Sequence, residues 1–134
     1  MGRPGPRRRV LIVDDEEAMR LLLANFIQQD LDAEVTLAGT CEAALRLVRE
    51  SAFDVILLDL LMPGIGGIEL LKRTRTDSAN QATPIVIVSV LVDSPDEGER
   101  MSEQRARTLG ANAVVSKPVN RGLLIAAVKA QLGA

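Results

Sequence analysis

The run FDVILLDLLMPGIGG, residues 53–67, decides how the chain is to be read. From Val55 to Leu58 it is continuously apolar, the pattern of a β-strand buried on both faces. After Asp59 it passes through Met62-Pro63 and three glycines, the composition of a turn that opens a helix. A buried strand that ends on a carboxylate and turns into a helix is the repeating unit of a parallel α/β sheet. Asp59 alone reads equally as a turn residue or as a reactive group. The rest of the chain separates the two.

The same unit recurs on both sides. RVLIVD (9–14) is a second buried run, followed over 16–29 by a helical stripe of Met19, Leu22, Leu23, Phe26 and Ile27. AEVTLA (33–38) alternates and reads as a strand nearer a sheet edge. Thr40 suits the cap of a helix that runs to about Glu50. Beyond FDVILLD (53–59), a helix from Gly66 to about Arg75 turns Ile68, Leu70 and Leu71 inward. PIVIVSV (84–90) is the third fully apolar run. Ser94-Pro95-Asp96-Glu97 is a helix start with a capping Ser and Pro at the first helical position, and Gly110 is the stop after Leu109. NAVVS (112–116) is the last strand, and 119–132 the last helix, with Leu124, Ala127, Val128 and Leu132 facing in. Five strands and five helices in strict alternation predict a doubly wound α/β fold with right-handed crossovers.

Composition narrows the function. At 134 residues the chain fits one domain, and 47% hydrophobic with 25% charged residues is ordinary for a globular protein. Phe26 and Phe53 are its only aromatics, which argues against base-stacking platforms. Four of the 16 basic residues (Arg3, Arg7, Arg8, Arg9) crowd the start, so the body that holds the 18 acids is acidic and disfavours nucleic acid as its ligand. Residues 1–8 are expected to be a flexible basic tail, and 9–134 the domain. Cys41 is the single cysteine, on a helical face with Ala44, Leu45 and Val48, and is expected as a buried structural thiol. The absence of histidine excludes His-based metal sites and catalytic dyads. No apolar run is long enough for a membrane span and no signal peptide is visible, so a cytoplasmic protein is expected.

In an open α/β sheet, chemistry gathers beyond the carboxyl ends of the strands. Here those ends carry Asp14-Asp15, Asp59, Ser89 and Lys117-Pro118. Singly, each has a structural reading: helix caps, a turn, a satisfied hydroxyl, a surface lysine. Together, three carboxylates repel, and one lysine cannot neutralise them. A divalent cation resolves this, and an all-oxygen site suits Mg²⁺. A carboxylate beside such a cation can attack phosphorus to give an aspartyl phosphate. Lys117 and Ser89 could then hold the phosphoryl oxygens. GIGGIE (64–69) is no dinucleotide fingerprint, because Glu69 stands where the last glycine belongs, and no P-loop occurs.

These pieces resemble the response-regulator receiver domains of two-component signalling, over roughly residues 9–132. The resemblance is carried by VDDEE (13–17), DLLMPGIGG (59–67), the strand-ending Ser89 and GANAVVSKP (110–118). It implies a flavodoxin-like, five-stranded parallel sheet in the order 2-1-3-4-5 with five helices. It implies that Asp59 accepts a phosphoryl group from a phosphohistidine on a partner sensor kinase or phosphotransfer protein. Asp15 would bind Mg²⁺ directly and Asp14 at least through water, with Asp59 and the backbone carbonyl of Leu61 as further ligands. Ser89 and Lys117 would contact the phosphoryl group, and Lys117–Pro118 would be cis. The resemblance thus implies a self-phosphorylating acceptor that can hydrolyse its own phosphoryl group, not a turnover enzyme. The last strand and last two helices would meet a downstream partner or a second copy.

Departures from the family pattern bear on output. Val114 stands three residues before Lys117, where Tyr or Phe is usual, and Val90 follows Ser89, where a small residue is common. The expectation is that phosphorylation alters the 89–117 region by displacing the loop and helix at 91–109. No output domain follows Ala134 in this sequence, so output through another protein or a second copy is expected. A receiver-like interaction module not regulated by phosphorylation is the second reading, supported by Val90 and Val114 alone. A dehalogenase-type phosphatase fits poorly, since it needs Asp-x-Asp after the first strand.

Overall fold

A computed structural model of the chain describes residues 7–90 and 103–133. In chain order these form β1 (Arg8–Val13), α1 (Glu17–Asp30), β2 (Ala33–Ala38), α2 (Cys41–Glu50), β3 (Val55–Leu58), α3 (Gly67–Thr76), β4 (Ile85–Ser89), α4 (Glu103–Thr108), β5 (Ala113–Ser116) and α5 (Arg121–Leu132). All strand pairs are parallel, in the order β2-β1-β3-β4-β5. The doubly wound fold expected from the alternation is the one observed.

The period-2 geometry of a strand explains why the central runs are apolar throughout. Leu11, Val13, Ile56, Leu58, Ile85 and Ile87 point to one core, shared with α2 and α3. Their alternates Val10, Ile12, Val55, Leu57, Val86 and Val88 point to the other, under α1 and α5. Each fully buried Leu, Ile or Val contributes about 1.5–3 kcal/mol. Truncating Leu57, 1% exposed at the centre of the sheet, to Ala costs roughly 2–5 kcal/mol by the cavity left.

Several expectations shift in detail. Leu22 is 40% exposed, not inward. The buried stripe of α1 is Leu23, Ala24 and Ile27, which leaves Leu22 about 100° round the helix from its neighbour Leu23. In α5, Ile125 is buried where Ala127 was expected, and Ala127 packs at the margin. β1 opens at Arg8, and Arg7 donates to Asp32 and to the Ala33 carbonyl, so the domain's hydrogen bonding begins inside the expected tail. Thr40 caps α2 as expected, its hydroxyl accepting from the Ala43 N–H at 3.1 Å. Cys41 is buried, and burial pushes its thiol up against a lowering hydrogen bond with the Gly66 backbone. The helix start at Ser94 and most of the 91–109 segment lie outside the described residues, as does 1–6 of the expected tail. No helix among the described residues is long and apolar enough to cross a membrane.

At the amino ends of the strands, Asn80 and Arg75 join the loops. Asn80 is buried; its Oδ1 accepts from the Phe53 N–H at 2.7 Å, and its Nδ2 donates to the Val48 and Ser51 carbonyls. Arg75, from the last turn of α3, donates to the carbonyls of Asn80, Gln81, Thr83 and Gly110 and to Asn112 Oδ1.

Candidate functional site

Beyond the carboxyl ends of β1, β3, β4 and β5 lie Asp14, Asp15, Asp59, Ser89 and Lys117, the five side chains singled out by the sequence. The strands deliver them together. Asp14 and Asp59 directly follow β1 and β3, and the Asp59 N–H donates to the Val13 carbonyl at 3.0 Å. Ser89 is the last residue of β4, and the Lys117 N–H donates to its carbonyl at 3.0 Å. The Lys117–Pro118 peptide is cis, as the resemblance implies.

The side chains form one network. Lys117 Nζ donates to Asp14 Oδ2 at 2.8 Å and to Asp59 Oδ2 at 3.0 Å. Ser89 Oγ donates to Asp59 Oδ1 at 2.7 Å, and the Leu61 N–H to the same oxygen at 2.9 Å. Asp14 Oδ1 accepts from the Glu16 N–H at 2.9 Å. Asp14, Asp59 and Ser89 are buried, whereas Asp15 is exposed.

Burying carboxylates is costly unless charge and hydrogen bonds compensate. Burial of Lys117 opposes its charge, but Asp14 and Asp59 outweigh that and hold the ammonium above the ordinary lysine value. The lysine is therefore a cation throughout the neutral range. One ammonium still faces three carboxylates, whose oxygens lie within 4.8 Å of one another. Oxygen-only donors on an open edge, in a chain without histidine, fit a hard divalent cation and not zinc.

Two contributors escaped the sequence reading. Arg20 Nη1 donates to the Asp14 carbonyl at 2.8 Å, with its guanidinium against Gly39. Its spacing on the buried stripe, three residues before Leu23, was the available signal. The other is the N–H of Leu61, a residue for which the resemblance implies only a carbonyl role. Val114 packs partly buried against the α2/α3 core, and Val90 is half-exposed beside Ser89.

The chain matches the response regulator receiver domain family over residues 10–129. It is 33% identical over 126 residues to the "Probable chemotaxis protein CheY" of Rhizobium etli, covering 94% of this chain and 93% of that protein. It is 34% identical over 125 residues to the phosphate regulon transcriptional regulatory protein PhoB of Rhizobium meliloti, covering 92% of this chain but 52% of that protein. Among solved structures, the chemotaxis response regulator CheY4 of Vibrio cholerae superposes with a TM-score of 0.80 at 29% identity, covering 95% of this chain and all of that one. This chain belongs to the response regulator receiver domains, the phosphorylation-dependent switches of two-component signalling.

Proposed function

We propose that Asp59 is the phosphoryl acceptor of this switch, charged from a phosphohistidine on a sensor kinase or phosphotransfer protein. The observation that carries this is the convergence of Lys117, Ser89 and the Leu61 N–H on its buried carboxylate. Asp59 Oδ1 already accepts two hydrogen bonds. Among the described residues Oδ2 accepts one, from Lys117, and keeps a lone pair for attack. That oxygen bonds to phosphorus while the P–N bond of the donor breaks, and the leaving imidazole nitrogen keeps the electron pair. Lys117, already at Oδ2, meets the incoming phosphoryl oxygens, and the Ser89 hydroxyl supplies a second donor.

Asp14, Asp15, Asp59 and the carbonyl of Leu61 would hold Mg²⁺. Bound there, the ion would offset the negative charge that gathers on the phosphoryl oxygens. With Val in place of the usual aromatic at 114, the signal leaves through the 91–109 segment, which follows Ser89 directly in the chain. Its hydrogen exchange with and without a phosphoryl mimic should differ, and identical protection would refute that route. A downstream partner or second copy meets β5 and the last two helices, where Val114, Pro118 and Leu123 line a groove of about 250 Å³.

The direct test is incubation with Mg²⁺ and phosphoramidate, a small P–N donor, followed by intact mass measurement. The protein should gain one acid-stable, base-labile phosphoryl group, and Asp59→Asn none. No uptake by the unaltered protein would favour an interaction module that works without phosphorylation.

A further inference from the structure

Three glycines stand between β3 and the first turn of α3, for different reasons. Gly64 and Gly66 each have φ of +88°, a conformation that side-chain-bearing residues rarely adopt. Gly67 does not share it. What Gly67 lacks is room: a Cβ there would press into Leu60 Cα and lie 2.7 Å from the carbonyl oxygens of both Asp59 and Leu60. At Gly66 the same added carbon meets nothing within 4 Å. The first turn of α3 thus seats its bare backbone on the peptide that follows Asp59.

That peptide governs where the carboxylate points. Leu60 leads directly to Leu61, whose N–H donates to Asp59 Oδ1 at 2.9 Å, the oxygen that also accepts from Ser89. Displacing Leu60 Cα carries the Leu61 N–H away and leaves the carboxylate to be aimed by Ser89 and Lys117 alone. Nor can α3 retreat. Leu70 and Leu71 are buried in the core, and Arg75 ties the helix's last turn to five loop residues. A ten-residue helix is about 15 Å long, and this one is fixed along its side and at its far end. Pressure at its near end falls on Asp59–Leu60.

We propose that Gly67 is a positioning residue for Asp59: α3 acts as a strut whose side-chain-free tip clamps the Leu60 backbone and, through the Leu61 N–H, aims the accepting carboxylate. This rests on the reading of Asp59 as acceptor.

The test compares Gly67→Ala with Gly66→Ala in the full chain, by two readouts. One is the rate of phosphoryl uptake from acetyl phosphate with Mg²⁺. The other is the amide proton shift of Leu61 in the phosphate-free protein, which a bond to a carboxylate moves downfield. Gly67→Ala should stay folded, lose the downfield shift and take up phosphate roughly tenfold to a hundredfold more slowly, the scale of a small misplacement of reacting groups. Gly66→Ala should melt earlier through its strained φ, yet keep the shift and the rate. A folded Gly67→Ala with unchanged shift and rate overturns the proposal, and so does equal loss in both variants. If the unaltered protein takes up no phosphate, the acceptor reading fails, and the Leu61 shift alone judges Gly67. If Gly67→Ala does not fold, Arg75→Lys replaces it. Loosening the strut's far end should move both readouts, and no movement in either overturns the idea.

Discussion

The two ends of one sheet carry two polar clusters built on opposite terms. At the amino end, Asn80 is buried and each of its side-chain polar atoms has a hydrogen-bond partner, while Arg75 gathers carbonyls from two loops. At the carboxyl end, three carboxylates share one lysine, and one of them is exposed. At the amino end the neutral Asn80 has every bond made and the single cation, Arg75, is taken up by carbonyls, an arrangement that ties loops together. Carboxylates left under-compensated at a strand edge are the kind of group that binding and reactive sites use. Burial alone does not distinguish them, since Asn80 and Asp59 are both buried. The balance of charge does.

Asp59→Asn should break the contrast most sharply. Phosphoryl uptake should vanish while stability to urea holds or rises, because Asn keeps acceptors for Ser89 and Leu61 and removes a repelling charge. Asn80→Ala should do the reverse. It strands the Phe53 N–H and the Ser51 carbonyl, while the Val48 carbonyl keeps the Ala79 N–H; at about 1–3 kcal/mol for a buried orphan, a loss of roughly 2–4 kcal/mol in urea unfolding is expected with uptake per folded molecule unchanged. Lys117→Met should slow uptake by roughly ten- to a hundredfold, measured by intact mass against time, through loss of the donor at Asp59 Oδ2.

The smallest effect belongs to a pair outside both clusters. Asp30 accepts from Arg121 at 2.6 and 3.0 Å, and those hydrogen bonds hold its carboxyl below the ordinary aspartate value. A carboxyl lowered on folding adds stability above its unfolded value and loses it as pH falls through the folded one. On acidification from pH 6 to pH 3, Asp30→Asn should therefore lose slightly less stability than the unaltered protein. The pair is solvent-screened, so equal acid sensitivity at high salt is expected.

Much of this was legible in the sequence, for reasons that differ by region. Continuous apolar runs over 9–14, 53–59 and 84–90 leave a buried parallel strand as the economical reading, and the strand-end residues then follow from topology. Asp14, Asp15, Asp59, Ser89 and Lys117 were found because their side chains do the converging. Leu22 was misplaced because five apolar positions cover more of a helix than one buried stripe can take. The resemblance names only the carbonyl of Leu61, so its N–H contact was not foreseen, and Gly67 acts through an absent methyl group. Arg75 was read as a helix end, and its hub needs two loops far apart in the chain, 80–83 and 110–112.

The contrast between the two ends is tested most directly by phosphoryl uptake in Asp59→Asn and Asn80→Ala side by side, scored by intact mass with Mg²⁺ and acetyl phosphate. Asn80→Ala, kept folded at low temperature, should gain one base-labile phosphoryl group at the rate of the unaltered protein, and Asp59→Asn should gain none. Uptake by Asp59→Asn, or its loss in folded Asn80→Ala, would contradict the division of labour between the two ends of the sheet.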